Sequence, residues 1–175
     1  LQQPKGIEVV SVATAEEMMK ALSSRLAWST TVIMAAAVVD FRPINPALQK
    51  LKKQGRTGQT LELERTTDIL ASLSAQRTTQ LMVGFAAETN DLIAHAKRKL
   101  TEKGLDLIVA NDITTLGGGF GSDQNAATLI DREGVLTELP LMPKRALADA
   151  ILNRAQELLR VRESNQISKL VRGKR

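Results

Sequence analysis

The chain contains no cysteine and a single histidine, His95. Disulfides, a thiol nucleophile and thiolate-bound zinc are thereby excluded, and one imidazole cannot build a histidine metal site. Aromatic residues amount to 2%, three Phe and one Trp with no Tyr, so the stacking platforms that hold single-stranded nucleic acid are nearly missing. No apolar run approaches the roughly 20 residues that span a bilayer. The polar start LQQPKG lacks the basic-then-apolar pattern of a secretory signal. These absences predict a cytoplasmic protein with neither a membrane nor a nucleic-acid partner. Position 1 is Leu rather than Met, as expected of an excerpt from something longer.

What is present suits one globular unit: 175 residues, of which 43% are hydrophobic and 25% charged. That is enough apolar surface for a core, and too little length for two full domains. The formal net charge is +5, of which Lys169, Arg172, Lys174 and Arg175 against Glu163 supply +3. Basicity is therefore largely a property of the end of the chain. The expected division is a domain over 1–162 followed by a basic, disordered tail over 163–175, which lacks a sustained apolar face and is interrupted by Gly173.

Periodicity supplies the elements. IEVVSV (7–12) predicts a short buried strand, and Thr14 with Glu17 three residues on forms a capping box that opens a helix to about Trp28. TVIMAAAVV (31–39) is a continuous apolar run, β-branched at both ends, as in a central parallel strand covered on both faces. Residues 41–58 hold two Pro and two Gly and predict a long loop. Leu61 and Leu63 alternate with Glu62 and Glu64, as in a half-exposed strand. Thr67 or Asp68 can cap a helix through Arg77. A buried strand follows over 80–88, then a helix opened by Asn90 and stopped by Gly104, then a buried strand over 105–111. ATLID and VLTEL flank the turn Arg132-Glu133-Gly134 as a hairpin, and a helix over 143–162 closes the domain. Strands alternating with helices predict an α/β fold: a Rossmann-like parallel sheet flanked by helices, with a β-hairpin near the edge.

In such a sheet, ligands gather at the carboxyl ends of the strands. The buried strands deliver Ala36 to Asp40, Phe85 to Asn90, and Asn111 to Asp112 to that edge. The basic cluster Lys50, Lys52, Lys53 suits a loop folding over a polyphosphate, and equally a solvated charge run. Lys99 and Lys103 are four apart on one helix, so both ammonium groups can meet one anion, although an ordinary exposed face explains them too. Asp40, Asp68, Glu88, Asp112 and Asp123 stand at predicted strand ends, helix starts or turns, where carboxylates bind ribose hydroxyls or Mg²⁺. For Asp68 simple capping is the plainer alternative. Phe85 suits packing on a nucleobase or in the core. His95 reads as structural or exposed. GGGFGS is a weak phosphate cradle, because no helix-opening pattern follows it.

The order VIMAAAVVDFRP, KLKK, TDIL, VGFAAETN, AKRKLTEKGLDLIVAND, GFGSDQNAATLI strongly resembles phosphopantothenoylcysteine synthetase, over about residues 7–160. The resemblance implies a ligase of coenzyme A biosynthesis that uses CTP and Mg²⁺. The carboxylate of 4′-phosphopantothenate attacks the α-phosphate of CTP, giving an acyl-cytidylate and pyrophosphate, and the amine of cysteine then displaces CMP. By the same resemblance Ala36 and Asp40 line the nucleotide site, Lys50 is the catalytic loop lysine over the phosphates, and Asp68 contacts the nucleotide. Phe85 borders base or ribose, and Lys99 and Lys103 face the phosphates. A homodimer through the region around Ala126 to Leu139 is implied, as is an FMN-dependent decarboxylase half that lies outside this sequence. The chain departs from the family at Thr66-Thr67, where Asn-Pro is usual. The family's opening strand, glycine-rich phosphate turn and Ser-Ser-Gly region are not found before Ile7, as in a truncated synthetase. A non-catalytic nucleotide-binding or dimerising fragment is the alternative. A nicotinamide or flavin oxidoreductase is a weaker one, since GxGxxG after a strand is missing.

Overall fold

The computed structural model describes residues 4–47, 49, 50, 58, 60–88, 91–112 and 121–172. Its elements run α1 (Ala15–Leu26), β1 (Thr31–Met34), β2 (Phe41–Pro43), β3 (Leu63–Arg65), α2 (Ile69–Gln76), β4 (Leu81–Glu88), α3 (Leu92–Glu102), β5 (Leu107–Asp112), β6 (Gln124–Asp131), β7 (Leu136–Pro143) and α4 (Lys144–Arg172). The main sheet has the order β1-β4-β5-β6-β7, and β2 pairs with β3 in a separate two-stranded ribbon. β1, β4 and β5 are parallel. β6 and β7 form the expected hairpin and extend the sheet antiparallel to its edge. The α/β architecture with a parallel core and an edge hairpin is therefore as the sequence predicts.

Side-chain alternation along the central strands builds two cores. Met82, Ala86, Ile108 and Ala110 face Leu70, Leu73, Ala96 and Leu100 of α2 and α3. Leu81, Val83, Leu107 and Val109 face Leu147, Ile151 and Ala155 of α4. The continuous apolar runs exist because these strands are covered on both sides. Gly84 is the point of closest approach: a Cβ there would lie 2.6 Å from Leu105 Cδ1 and 2.9 Å from Leu70 Cδ2. The local signals of the sequence are realised at the start of α1 and at the end of α3. Thr14 and Glu17 form the reciprocal capping box of α1, and Gly104 ends α3 with φ +59°, a conformation that glycine adopts without a Cβ penalty.

Three expectations need correction. Residues 7–12 form no strand, and Ile7, Val9 and Val10 are exposed. A strand exists only through a partner's backbone groups, and among the described residues none pairs with this segment. The run 31–39 stays in the sheet only to Met34, which lies opposite Gly84. The chain leaves the ladder at Ala35, where β-branched residues give way to alanines with low strand preference. The third concerns the expected disordered tail: α4 passes Arg162 and continues to Arg172, since no Gly or Pro interrupts the helix before Gly173. In addition, the loop expected over 41–58 begins with β2, paired to β3 with Phe41 opposite Arg65. The capping residue expected at Asn90 lies outside the described residues, and Asp91 stands at the N-cap of α3 with φ 47° and no side-chain cap bond.

α4 is fixed to the sheet by buried charge. Asp106, 3% exposed, accepts from Met82 N at 2.8 Å and from Arg77 through Oδ2. Its Oδ1 makes charge contacts with Arg132 and with Arg162 of α4, in directions that are not those of hydrogen bonds. Asp131, also buried, pairs with Arg154 of the same helix. A buried carboxylate is tolerable only when paired in this way.

Candidate active site

Where the chain leaves β1 it forms one wall of a cleft of about 330 Å³ at the carboxyl ends of β1, β4 and β5. Met34 to Asp40 make that wall, and Thr66 to Leu70, the turn between β3 and α2 with the first two residues of α2, make the other. Phe85 and Ala87 of β4 and Asn111 of β5 form the floor, while α3 contributes Lys99 and Lys103. A hollow of about 390 Å³ beside the hairpin has mostly apolar or small lining residues, with Glu138 its sole titratable side chain among the described residues. Of these two hollows, the first brings cations and carboxylates together among the described residues.

Asp68 serves two partners at once. Its Oδ1 accepts from Ala71 N at 3.0 Å, capping α2, and its Oδ2 lies 3.0 Å from Lys103 Nζ. Partial burial works against the carboxylate's charge. The Ala71 bond and the Lys103 ammonium outweigh that cost and hold its pKa below the usual aspartate value. Both oxygens are thus occupied within the protein, and the carboxylate holds the Lys103 ammonium at the cleft. Phe85 borders the cleft while packing against the core on the α4 side, as its core reading expects.

Of the residues singled out in the sequence, Ala36, Asp40, Asp68, Phe85, Lys99 and Lys103 line this one cleft. Lys50 is exposed and is not among the lining residues. Lys52, Lys53 and residues 113–120, which include most of GGGFGS, lie outside the described residues, as do the side chains of Glu88 and Asp112. Two further residues contribute to the cleft. Thr66 bonds across the cleft walls, with its N–H to Asp40 O at 2.9 Å and its hydroxyl to Val39 O. Asn111 presents a buried Oδ1 that has no hydrogen-bond partner. Its place at a strand's carboxyl end was visible in the sequence, but its unmet acceptor was not.

A mixed sheet with a parallel core and a cleft lined by lysines and aspartates at the carboxyl ends of its parallel strands make this an open α/β domain, in which such a crevice is where ligands gather. The chain belongs to the DNA/pantothenate metabolism flavoprotein C-terminal domain family, whose profile matches residues 1–159. It is 46% identical over 153 residues to the coenzyme A biosynthesis bifunctional protein CoaBC of Bacillus subtilis, covering 87% of this chain and 37% of that protein. It is 41% identical over 161 residues to CoaBC of Vibrio parahaemolyticus, covering 91% and 40% respectively. The chain thus spans about two fifths of these relatives. The crystal structure of a CoaBC C-terminal domain superposes with a TM-score of 0.75 at 34% identity, covering 91% of this chain and 70% of that one.

Proposed function

We propose that the domain takes part in coenzyme A biosynthesis as a CTP-dependent phosphopantothenate–cysteine ligase. The observation that carries this reading is the convergence of Ala36, Asp40, Asp68, Phe85, Lys99 and Lys103 on one cleft in a chain whose family match covers residues 1–159.

The chemistry demands cations first. Both substrates of the first step are anions, 4′-phosphopantothenate and CTP, and the leaving pyrophosphate gathers further negative charge. Lys103, held by Asp68, and Lys99 supply fixed positive charge at the α3 side of the cleft. Phe85 offers an apolar edge to base or ribose, and the small residues from Ala35 to Ala37 leave room for the chain of the acyl substrate. Lys50 covers the phosphates in the reacting complex. The carboxylate then attacks the α-phosphorus, the P–O bond to pyrophosphate breaks, and an acyl-cytidylate results. In the second step the amine of cysteine adds to the acyl carbon, CMP leaves with the C–O bonding pair, and the amine's proton is released.

Mg²⁺ usually takes one or two protein carboxylates and completes its shell with phosphate oxygens and water. Among the described residues no three His, Cys, Asp or Glu side chains cluster as a protein-only metal site. Asp40, exposed on the cleft wall, suits the lesser requirement, and the ion would there neutralise triphosphate charge. Dimer formation in the cytoplasm, with the β6–β7 hairpin as contact, completes the reading. Val135, Leu136 and Leu141 of that hairpin are exposed apolar residues.

Parallel calorimetric titrations with CTP and ATP test the proposal. CTP is expected to bind more tightly, and equal affinities would remove the case for a cytidylate intermediate.

A further inference from the structure

The two walls of the cleft come from segments far apart in sequence, 34–40 and 66–70. They are joined at Thr66. Its backbone N–H donates to Asp40 O at 2.9 Å, and its hydroxyl donates to Val39 O. Thr66 is half-buried and itself lines the cleft. It follows directly on the β2–β3 ladder, whose last rung pairs Phe41 with Arg65. Two residues further on, Asp68 caps α2 and holds Lys103 at 3.0 Å. One residue therefore grips two successive carbonyls of the first wall, while the chain leading from it carries the carboxylate that holds the cation of the second.

We propose that Thr66 is a positioning residue: its hydroxyl bond to Val39 sets the separation between the Ala36–Asp40 wall and the Asp68–Lys103 pair, and through it the affinity of the cleft for a nucleoside triphosphate. The choice of ligand rests on the ligase reading above, whereas the mechanical coupling does not. The backbone bond alone leaves a pivot at Asp40. The second bond, one carbonyl earlier, removes the rotation about that pivot. Valine has nearly the shape of threonine and keeps the backbone bond, so Thr66→Val deletes the hydroxyl contact alone. Serine restores the hydroxyl without the methyl group.

Two measurements on the full chain test this. In the first, CTP affinity is compared calorimetrically among wild type, Thr66→Val and Thr66→Ser. The valine variant is expected to bind about tenfold more weakly, and the serine variant to lie within about twofold of wild type. In the second, the acylation rate of Lys103 by an amine-reactive ester is followed by peptide mass spectrometry without nucleotide. Thr66→Val is expected to raise that rate about fivefold by loosening the Asp68 pair, and Thr66→Ser to leave it unchanged. If wild type binds CTP and Thr66→Val binds it equally well, the positioning role is overturned while the ligase reading stands. If wild type binds no CTP, the ligase reading fails and the acylation rate alone decides, an unchanged rate in Thr66→Val overturning the coupling. Failure of serine to rescue either property also overturns it. Circular dichroism checks that Thr66→Val is folded; should it not be, Thr66→Ala compared with Thr66→Ser answers the same question.

Discussion

Lys103, the residue that closes α3, lies 3.0 Å from Asp68, the residue that opens α2. A helix C-terminus favours a cation and a helix N-terminus a carboxylate, so each charge also complements the partial charge of its own helix end. The pair joins the two helices at the lining of the cleft.

Asp68 gives this part of the fold a defined pH dependence. Its pKa in the folded chain is lowered, so its stabilising contribution is fully present above the unfolded value of about 3.9 and is lost as pH falls through the folded value. The gap in urea midpoint between wild type and Asp68→Asn is expected to be constant from pH 7 to about pH 5 and to shrink to nothing at the acid end. Asparagine is itself a good N-cap, so the variant chiefly removes the ion pair. A gap that did not change with pH would contradict this account.

Asn111 is expected to separate binding from stability. Its Oδ1 is buried without a partner, and an apolar residue of similar size there removes an unmet acceptor. Thermal melting of Asn111→Leu should show equal or greater stability, whereas titration should show CTP affinity reduced about tenfold, the loss of one good hydrogen bond to a ligand.

Lys50→Gln is expected to slow acyl-cytidylate formation by about 10²-fold, the scale of losing one preorganised electrostatic partner. Pyrophosphate release on mixing CTP with 4′-phosphopantothenate provides the readout. Unchanged release would return Lys50 to a solvated loop residue.

Deleting residues 163–175 is expected to leave CTP affinity within about twofold and to shift the melting temperature little. Leu147, Ile151, Arg154, Ala155 and Arg162 attach α4 to the sheet, and all precede the cut. Loss of CTP binding would show that the end of the helix contributes to the cleft.

Features legible in the sequence are those settled by neighbours along the chain. Thr14 and Glu17 cap a helix three residues apart, Gly134 turns a hairpin with φ +85°, and Asp68 caps α2 from its own first turn. Lys99 and Lys103 share the cleft because helical spacing puts them on one side. The other features depend on remote partners. Nothing in IEVVSV distinguishes a paired strand from an unpaired one, since pairing is a property of the neighbour. The peeling of the chain at Ala35 depends on where β4 runs, and Thr66 gains its role only once Val39 and Asp40 lie beside it. Asp106 reads as an ordinary residue of a KGLDLIVAND segment until Arg77, Arg132 and Arg162 arrive around it.

That gathering around Asp106 bears on the order in which the molecule assembles. Arg77 is 29 residues away in sequence, whereas Arg162 belongs to the last helix and is the most remote of the three. Contacts that close the longest loops form late, after the sheet has given Asp106 its place against Met82. Docking of α4 is therefore expected on the native side of the rate-limiting barrier. In stopped-flow measurements, Arg162→Gln should hasten unfolding and leave the folding rate almost untouched. The cleft, built from earlier segments, would then take shape before its supporting helix is in place, and the arginines act as a clasp fastened last.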